Sequence, residues 1–386
     1  MIQRNLTGSL RHSLNHFPVT AILGPRQCGK STLAKYIFSE RDQEAVYLDL
    51  ERPSDLLKLE DAEWFLSNQK GKLVCMDEIQ RKPELFPVLR SIVDEDGASG
   101  QFLILGSASR DLIRQSSESL AGRINYNKLT PFLWSEIRHA SNTEEYLIKG
   151  GFPRSILAED ESVSLEWRES FIATFLERDL LQFAGFSTVS MRRLWQMLAH
   201  TNGQTANYSA LGSSLGISHT SVKKYIDLLE GTFMVRQLRP YKGNTKKRLV
   251  KSPKVYITDC GLTTALLRLR TFEEAAGHPV FGSLWESVVI ENIAGHFPNL
   301  DLSFYRTNHG SEIDLVIRDG TSTVAVECKS TLSPNLSSGL YSAIEDIKPK
   351  KTLVVIPADK GYDFKENIDV VSLTELIEKV PMLLKV

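Results

Sequence analysis

Over the first 130 residues, short apolar runs alternate with amphipathic stretches. Strand-like runs lie at 19–23 (Val-Thr-Ala-Ile-Leu), 45–50, 72–76 and 101–105, with helical spacing between them. Such alternation predicts an α/β domain with a parallel sheet. From 131 the pattern turns helical, breaks at 150–153 (Gly-Gly-Phe-Pro) and resumes over 164–184. Helical pieces follow at 191–200, 207–215 and 218–230, the last two joined by a short Gly-containing turn. Strand-like runs at 234–238 and 254–257 come next, which is the layout of a winged helix-turn-helix. Beyond 275, a helix precedes strand-like runs at 302–306, 311–318 and 323–329, then a helix at 338–346 and a strand at 352–356. The expected division is a parallel-sheet core at 1–130, a helical region at 131–186, a winged helix at 187–260 and a second α/β domain at 275–386.

Chemistry enters directly after the first strand. Gly24-Pro25-Arg26-Gln27-Cys28-Gly29-Lys30-Ser31 fits GxxxxGK[ST] between a strand and a helix, the setting a phosphate-binding loop requires. The glycines let backbone N–H groups curl around a phosphate, and the helix N-terminus adds its dipole. Lys30 is expected to reach the β- and γ-phosphates, and Ser31 to bind Mg²⁺; Thr32 completes the expected cofactor-binding segment. The strand at 72–76 runs into Asp77 and Glu78, where Asp77 would serve the Mg²⁺ shell and Glu78 would polarise the attacking water. Ser107, at the end of the next strand, stands where ligands meet parallel sheets, as does Ser109. No Asn-Lys-x-Asp stretch favours guanine, so ATP is the expected nucleotide.

Net charge is −1, from 46 Lys+Arg and 47 Asp+Glu, which argues against a uniformly basic coat for nucleic acid. The average conceals a cancellation: residues 187–254 hold 12 basic and 2 acidic residues. That segment is the expected DNA contact, with His219, Thr220, Lys223 and Lys224 at the start of the third helix. Lys242, Lys246, Lys247 and Arg248 follow in the hairpin region. The rest of the chain is acidic. The four cysteines are scattered, with no CxxC pair, so neither structural zinc nor a disulfide framework is expected. With no apolar run near 18 residues and no signal-like N-terminus, a cytoplasmic protein without membrane contact is expected.

In the C-terminal domain, alternation puts Glu327 and Lys329 on one face of a strand, within reach of Asp314 across a hairpin. Two such carboxylates can hold Mg²⁺, with Lys329 beside the water the metal activates for phosphodiester attack.

The set GPRQCGKS, MDEIQ, ILGSAS and ESLAGR, in that order, resembles the AAA+ ATPases, and among them a prokaryotic group related to the origin-recognition clade. The resemblance implies a lid after the core; Arg154 and Arg178 are candidates for its phosphate sensor, with a helix-surface ion pair as the favoured reading of each. It also implies an arginine finger at Arg123 that reaches a neighbour's γ-phosphate, and hence a homo-oligomer. The Asp314, Glu327, Lys329 set resembles the PD-(D/E)xK, restriction-endonuclease-like superfamily, which would add Glu286 on the preceding helix as a further metal ligand. Together these imply a Mg²⁺-dependent, ATP-hydrolysing protein that binds DNA and cuts it at the C-terminal site. The alternative is an ATP-driven switch that binds a protein partner, with the nuclease-like domain as an inactive docking module.

Overall fold

The computed structural model describes residues 2–41, 43–108, 120–179, 186–243 and 247–384, with the side chains of Arg178 and Asp179 excepted. Ser109, Glu118, Lys246 and residues 180–184 therefore lie outside the described residues. The chain divides into two compact units, one of residues 1–132 with 231–233, the other of 133–230 with 234–386.

The first unit is built on five parallel strands: β1 (Val19–Leu23), β2 (Ala45–Asp49), β3 (Leu73–Asp77), β4 (Phe102–Gly106) and β5 (Ile124–Lys128). Their order in the sheet is β2-β3-β4-β1-β5, so the chain reverses its winding beside β1. Strands β1, β3 and β4 are buried along their whole length, as expected of central strands covered on both faces. Their apolar residues share a core with Leu85, Phe86, Leu89, Ile92 and Val93 of the amphipathic Leu85–Asp96 helix. This is the parallel-sheet α/β fold that the alternation predicts.

The second unit contains an eight-stranded mixed sheet, ordered β12-β13-β11-β10-β9-β8-β6-β7. Its strands are β6 (Val235–Pro240), β7 (Lys254–Ile257), β8 (Asp301–Arg306), β9 (Glu312–Asp319), β10 (Ser322–Cys328), β11 (Lys351–Val355), β12 (Tyr362–Lys365) and β13 (Ile368–Val371). Here the structure differs from the expected division. Strands β6 and β7 form the antiparallel hairpin expected after the helices Thr188–His200, Tyr208–Leu215 and His219–Gly231. But β6 also pairs in parallel with β8, through Arg239 with Ser303 and Pro240 with Phe304. One sheet thus runs across the boundary expected near 260–275.

The region expected as a lid, 131–186, also differs, because from Leu133 onward it belongs to the second unit. A buried arginine explains the attachment. Arg168 donates to the carbonyls of Ile148 (2.7 Å) and Gly261 (3.2 Å) and to Thr264 Oγ1 (2.8 Å). Gly150 has φ 73°, and a Cβ there would lie 2.2 Å from Asp259 Oδ1. Asp259 accepts the amides of Gly151 (2.8 Å) and Leu262 (2.9 Å), which ties the Gly-Gly-Phe-Pro turn to the Cys260–Leu267 helix. No helix among the described residues is long and apolar enough to cross a membrane.

Candidate active site and the carboxylate cluster

The phosphate loop connects β1 to the Lys30–Ser39 helix. Gly29 has φ 101°, and a Cβ on Gly24 would lie 2.1 Å from the Leu129 carbonyl oxygen, so the turn and the close approach each require glycine. Lys30 is buried, and its Nζ donates to the carbonyls of Gly24 (3.0 Å) and Pro25 (2.9 Å). Its charge therefore rests against its own loop, where phosphate oxygens can replace those carbonyls with stronger charge-assisted bonds.

Ser31 Oγ donates to Asp77 Oδ2 at 2.6 Å, and the Tyr47 hydroxyl donates to the same oxygen. Burial, then the hydrogen bond to Asp77, pushes the Tyr47 phenol far above its ordinary range, so it stays a donor. A hydroxyl and a carboxylate oxygen side by side form a hard-oxygen pair suited to Mg²⁺. Glu78 adopts a left-handed backbone (φ 57°, ψ 46°), an uncommon conformation for a residue with a side chain, and it redirects the carboxylate at the strand end. Glu78 Oε2 accepts from Gln80 Nε2 and from Ser107 Oγ (3.0 Å), and Gln80 Nε2 also donates to Ser107 (2.8 Å). Lys30, Ser31, Asp77, Glu78 and Ser107 thus come together at one edge of the sheet. Sequence reasoning missed Tyr47, Gln80 and Arg4. The buried Arg4 donates to the carbonyls of Cys28 (2.9 Å) and Thr130 (2.6 Å), bracing the loop from behind. Of the remaining loop residues, Arg26 lies 3.4 Å from Glu51; Arg123, just before β5, is paired with Asp94.

The C-terminal candidates also converge. Asp314 Oδ2 accepts the Cys328 amide (3.0 Å), and Lys329 Nζ donates to Glu327 Oε1 (2.8 Å). Glu286, on the Phe281–His296 helix, accepts from Lys254 Nζ (2.9 Å) and from the Tyr256 hydroxyl. Lys254 is the residue that sequence reasoning misplaced in the basic stripe. It is 3% exposed and also lies 2.9 Å from Glu312 and 3.3 Å from Asp314. Burial works against its ammonium, but the charges of Glu286 and Asp314 outweigh that and hold its pKa well above the ordinary lysine range. Burial and the Asp314 charge push Glu286 up to about 7 and Glu327 up to about 8. The expectation of a metal held by Glu286, Asp314 and Glu327 meets a difference here. Among the described residues, no three His, Cys, Asp or Glu side chains form a group that could hold a metal ion. The Lys254 ammonium lies among these carboxylates.

The basic stripe is divided by the same packing. His219, Thr220, Lys223, Lys224, Lys242, Lys247 and Arg248 are exposed. Three other contacts draw stripe residues toward C-terminal acids: Arg236 pairs with Glu291, Lys247 with Asp346 (2.8 Å), and Lys254 with the cluster above.

An AAA domain matches residues 16–138, and two domains of unknown function, DUF8612 and DUF4143, match 140–273 and 281–376. An uncharacterised protein of Mycobacterium tuberculosis is 35% identical over 376 residues, covering 97% of this chain and 84% of that one. The chain belongs to this AAA-domain family. An uncharacterised Haemophilus influenzae protein is 26% identical over 278 residues, covering 63% of this chain and 68% of its own length. Among solved structures, the Walker-type ATPase PABY2304 of Pyrococcus abyssi aligns with a TM-score of 0.48 and 16% identity, over 69% of this chain and 96% of that one. The Thermotoga maritima RuvB Holliday junction branch migration motor aligns with a TM-score of 0.32 and 19% identity, over 61% and 89%.

Proposed function

We propose that this AAA-domain protein hydrolyses ATP at the phosphate loop and uses the nucleotide state to control binding of DNA by the second unit. The convergence of Lys30, Ser31, Asp77, Glu78 and Ser107 on one sheet edge carries the ATPase part. Lys30 would leave its loop carbonyls for the phosphates, and Glu78, oriented by Gln80 and Ser107, would align and polarise the attacking water. Ser31 and Asp77 would hold Mg²⁺, which supplies charge neutralisation for the phosphates. For Arg123 to serve a neighbouring copy as a finger, that copy's γ-phosphate would have to compete with Asp94 for the guanidinium.

DNA contact is supported by the three helices followed by the β6–β7 hairpin, the order a winged helix would have, and by the exposed Lys223, Lys224, Lys242, Lys247 and Arg248. Phosphate contact of this kind is salt-dependent. The test is ATP hydrolysis and fluorescence-anisotropy DNA binding by the full chain across a salt series, with and without ATP. Hydrolysis that is lost in Lys30→Ala, with DNA affinity that changes with nucleotide and falls with salt, is expected. An affinity for DNA indifferent to both would leave the protein-partner reading in its place.

A further inference from the structure

Strand β7 presents Lys254 and Tyr256, two residues apart and so on one face, to the same carboxylate of Glu286. An ammonium carries three hydrogens. Three carboxylates, Glu286, Glu312 and Asp314, lie within 3.3 Å of this one. At 3% exposure, those acids and not water compensate the Lys254 charge. A divalent cation on Glu286 and Asp314 would sit against a like charge bound to the same carboxylates, an arrangement that burial makes strongly repulsive. The remaining donors are committed too: the Cys328 amide takes Asp314 Oδ2, and Lys329 takes Glu327 Oε1. Glu327 Oε2 is buried without a hydrogen-bond partner among the described residues, but one oxygen is far from the near-octahedral set Mg²⁺ demands.

The same contact has a mechanical consequence. Lys254 ties the end of the basic segment to β9 and to the Phe281–His296 helix, as Arg236 is tied to that helix through Glu291 and Lys247 to the Ser338–Ile347 helix through Asp346. We propose that Lys254 is the resident cation of this cluster, standing where the endonuclease-like resemblance would put Mg²⁺, so that the C-terminal acids clamp the basic hairpin and do not serve to cut phosphodiesters.

Metal binding tests this independently of ATP hydrolysis and of DNA affinity. Mn²⁺ binding to the full chain without nucleotide is followed by the EPR signal of the free ion. Wild type is compared with Asp314→Asn, Lys254→Gln and the Lys254→Gln/Asp314→Asn double variant, and Asp77→Asn reads the phosphate-loop site separately. Wild type and Asp314→Asn should bind the same number of Mn²⁺ ions, whereas Lys254→Gln should gain one site that the double variant lacks. One Mn²⁺ more on wild type than on Asp314→Asn overturns the proposal, and so does a folded Lys254→Gln protein that gains no site. Should Lys254→Gln fail to fold, the comparison of wild type with Asp314→Asn decides alone, with Glu327→Gln in its place if Asp314→Asn is itself unstable.

Discussion

Lys30 and Lys254 are both nearly buried, at 5% and 3% exposure, yet they are held in opposite ways. Lys30 donates to two neutral carbonyls of its own loop, partners that an incoming phosphate outcompetes. Lys254 is surrounded by carboxylates from the Phe281–His296 helix and from β9, partners that an anionic ligand cannot displace without exposing buried negative charge. The first arrangement leaves a cation ready for a ligand. The second uses a cation to hold the fold together.

Exchanging the two lysines for alanine should therefore give opposite phenotypes. Lys30→Ala should lower ATP turnover by ~100-fold or more, the scale for losing a positioned charge at the reacting group, with little change in unfolding. Lys254→Ala should destabilise the protein by about 3 kcal/mol, because breaking a buried pair leaves carboxylates uncompensated. Urea unfolding monitored at the C-terminal tryptophan Trp285 would measure it, and adding Asp314→Asn should recover part of the loss. Equal losses of stability in the two variants would erase the contrast.

How much of each site could be read in advance follows from chain distance. The phosphate loop is contiguous, so its glycines, lysine and serine declare themselves at fixed spacing between a strand and a helix. Asp77 and Glu78 were legible because a buried strand ends on them. Tyr47 and Arg4 were not, since each meets its partner only after the strands assemble, with Arg4 reaching Thr130 across 126 residues, and Gln80, though beside Glu78 in the chain, joins Ser107 only then. In the second unit, Glu286, Asp314, Glu327 and Lys329 were legible as a set and do converge. Lys254 looked like one more charge in a basic run, because nothing local announces that β6 will pair with β8 and carry β7 against Glu286. The helices of 131–186 were legible as helices, but their attachment through Arg168 and Asp259 was not.

Smaller effects sharpen the same comparison. Ser107→Ala should slow ATP hydrolysis by ~10-fold through loss of Glu78 orientation, leaving nucleotide affinity unchanged in a filter-binding assay. In the C-terminal cluster, Glu286 and Glu327 rise from the ordinary 4.5 to about 7 and about 8, so the folded state holds their protons more tightly than the unfolded chain does. Their contribution is fully present below pH 4.5 and is lost as pH rises through 7 and 8. Unfolding stability should accordingly fall between pH 5 and pH 8, and Glu327→Gln should flatten that decline. Smallest in free energy, removing Lys223 and Lys224 together should reduce the log–log salt slope of DNA binding by about 2, one for each phosphate no longer neutralised.

The central claim is that the loop of Lys30 and the acid Glu78 form a working hydrolytic site. Phosphate release from ATP, measured side by side with nucleotide binding for wild type, Lys30→Ala and Glu78→Gln, tests it most directly. Turnover should collapse in both variants, while Glu78→Gln still binds ATP. Turnover undiminished in either variant would contradict the account.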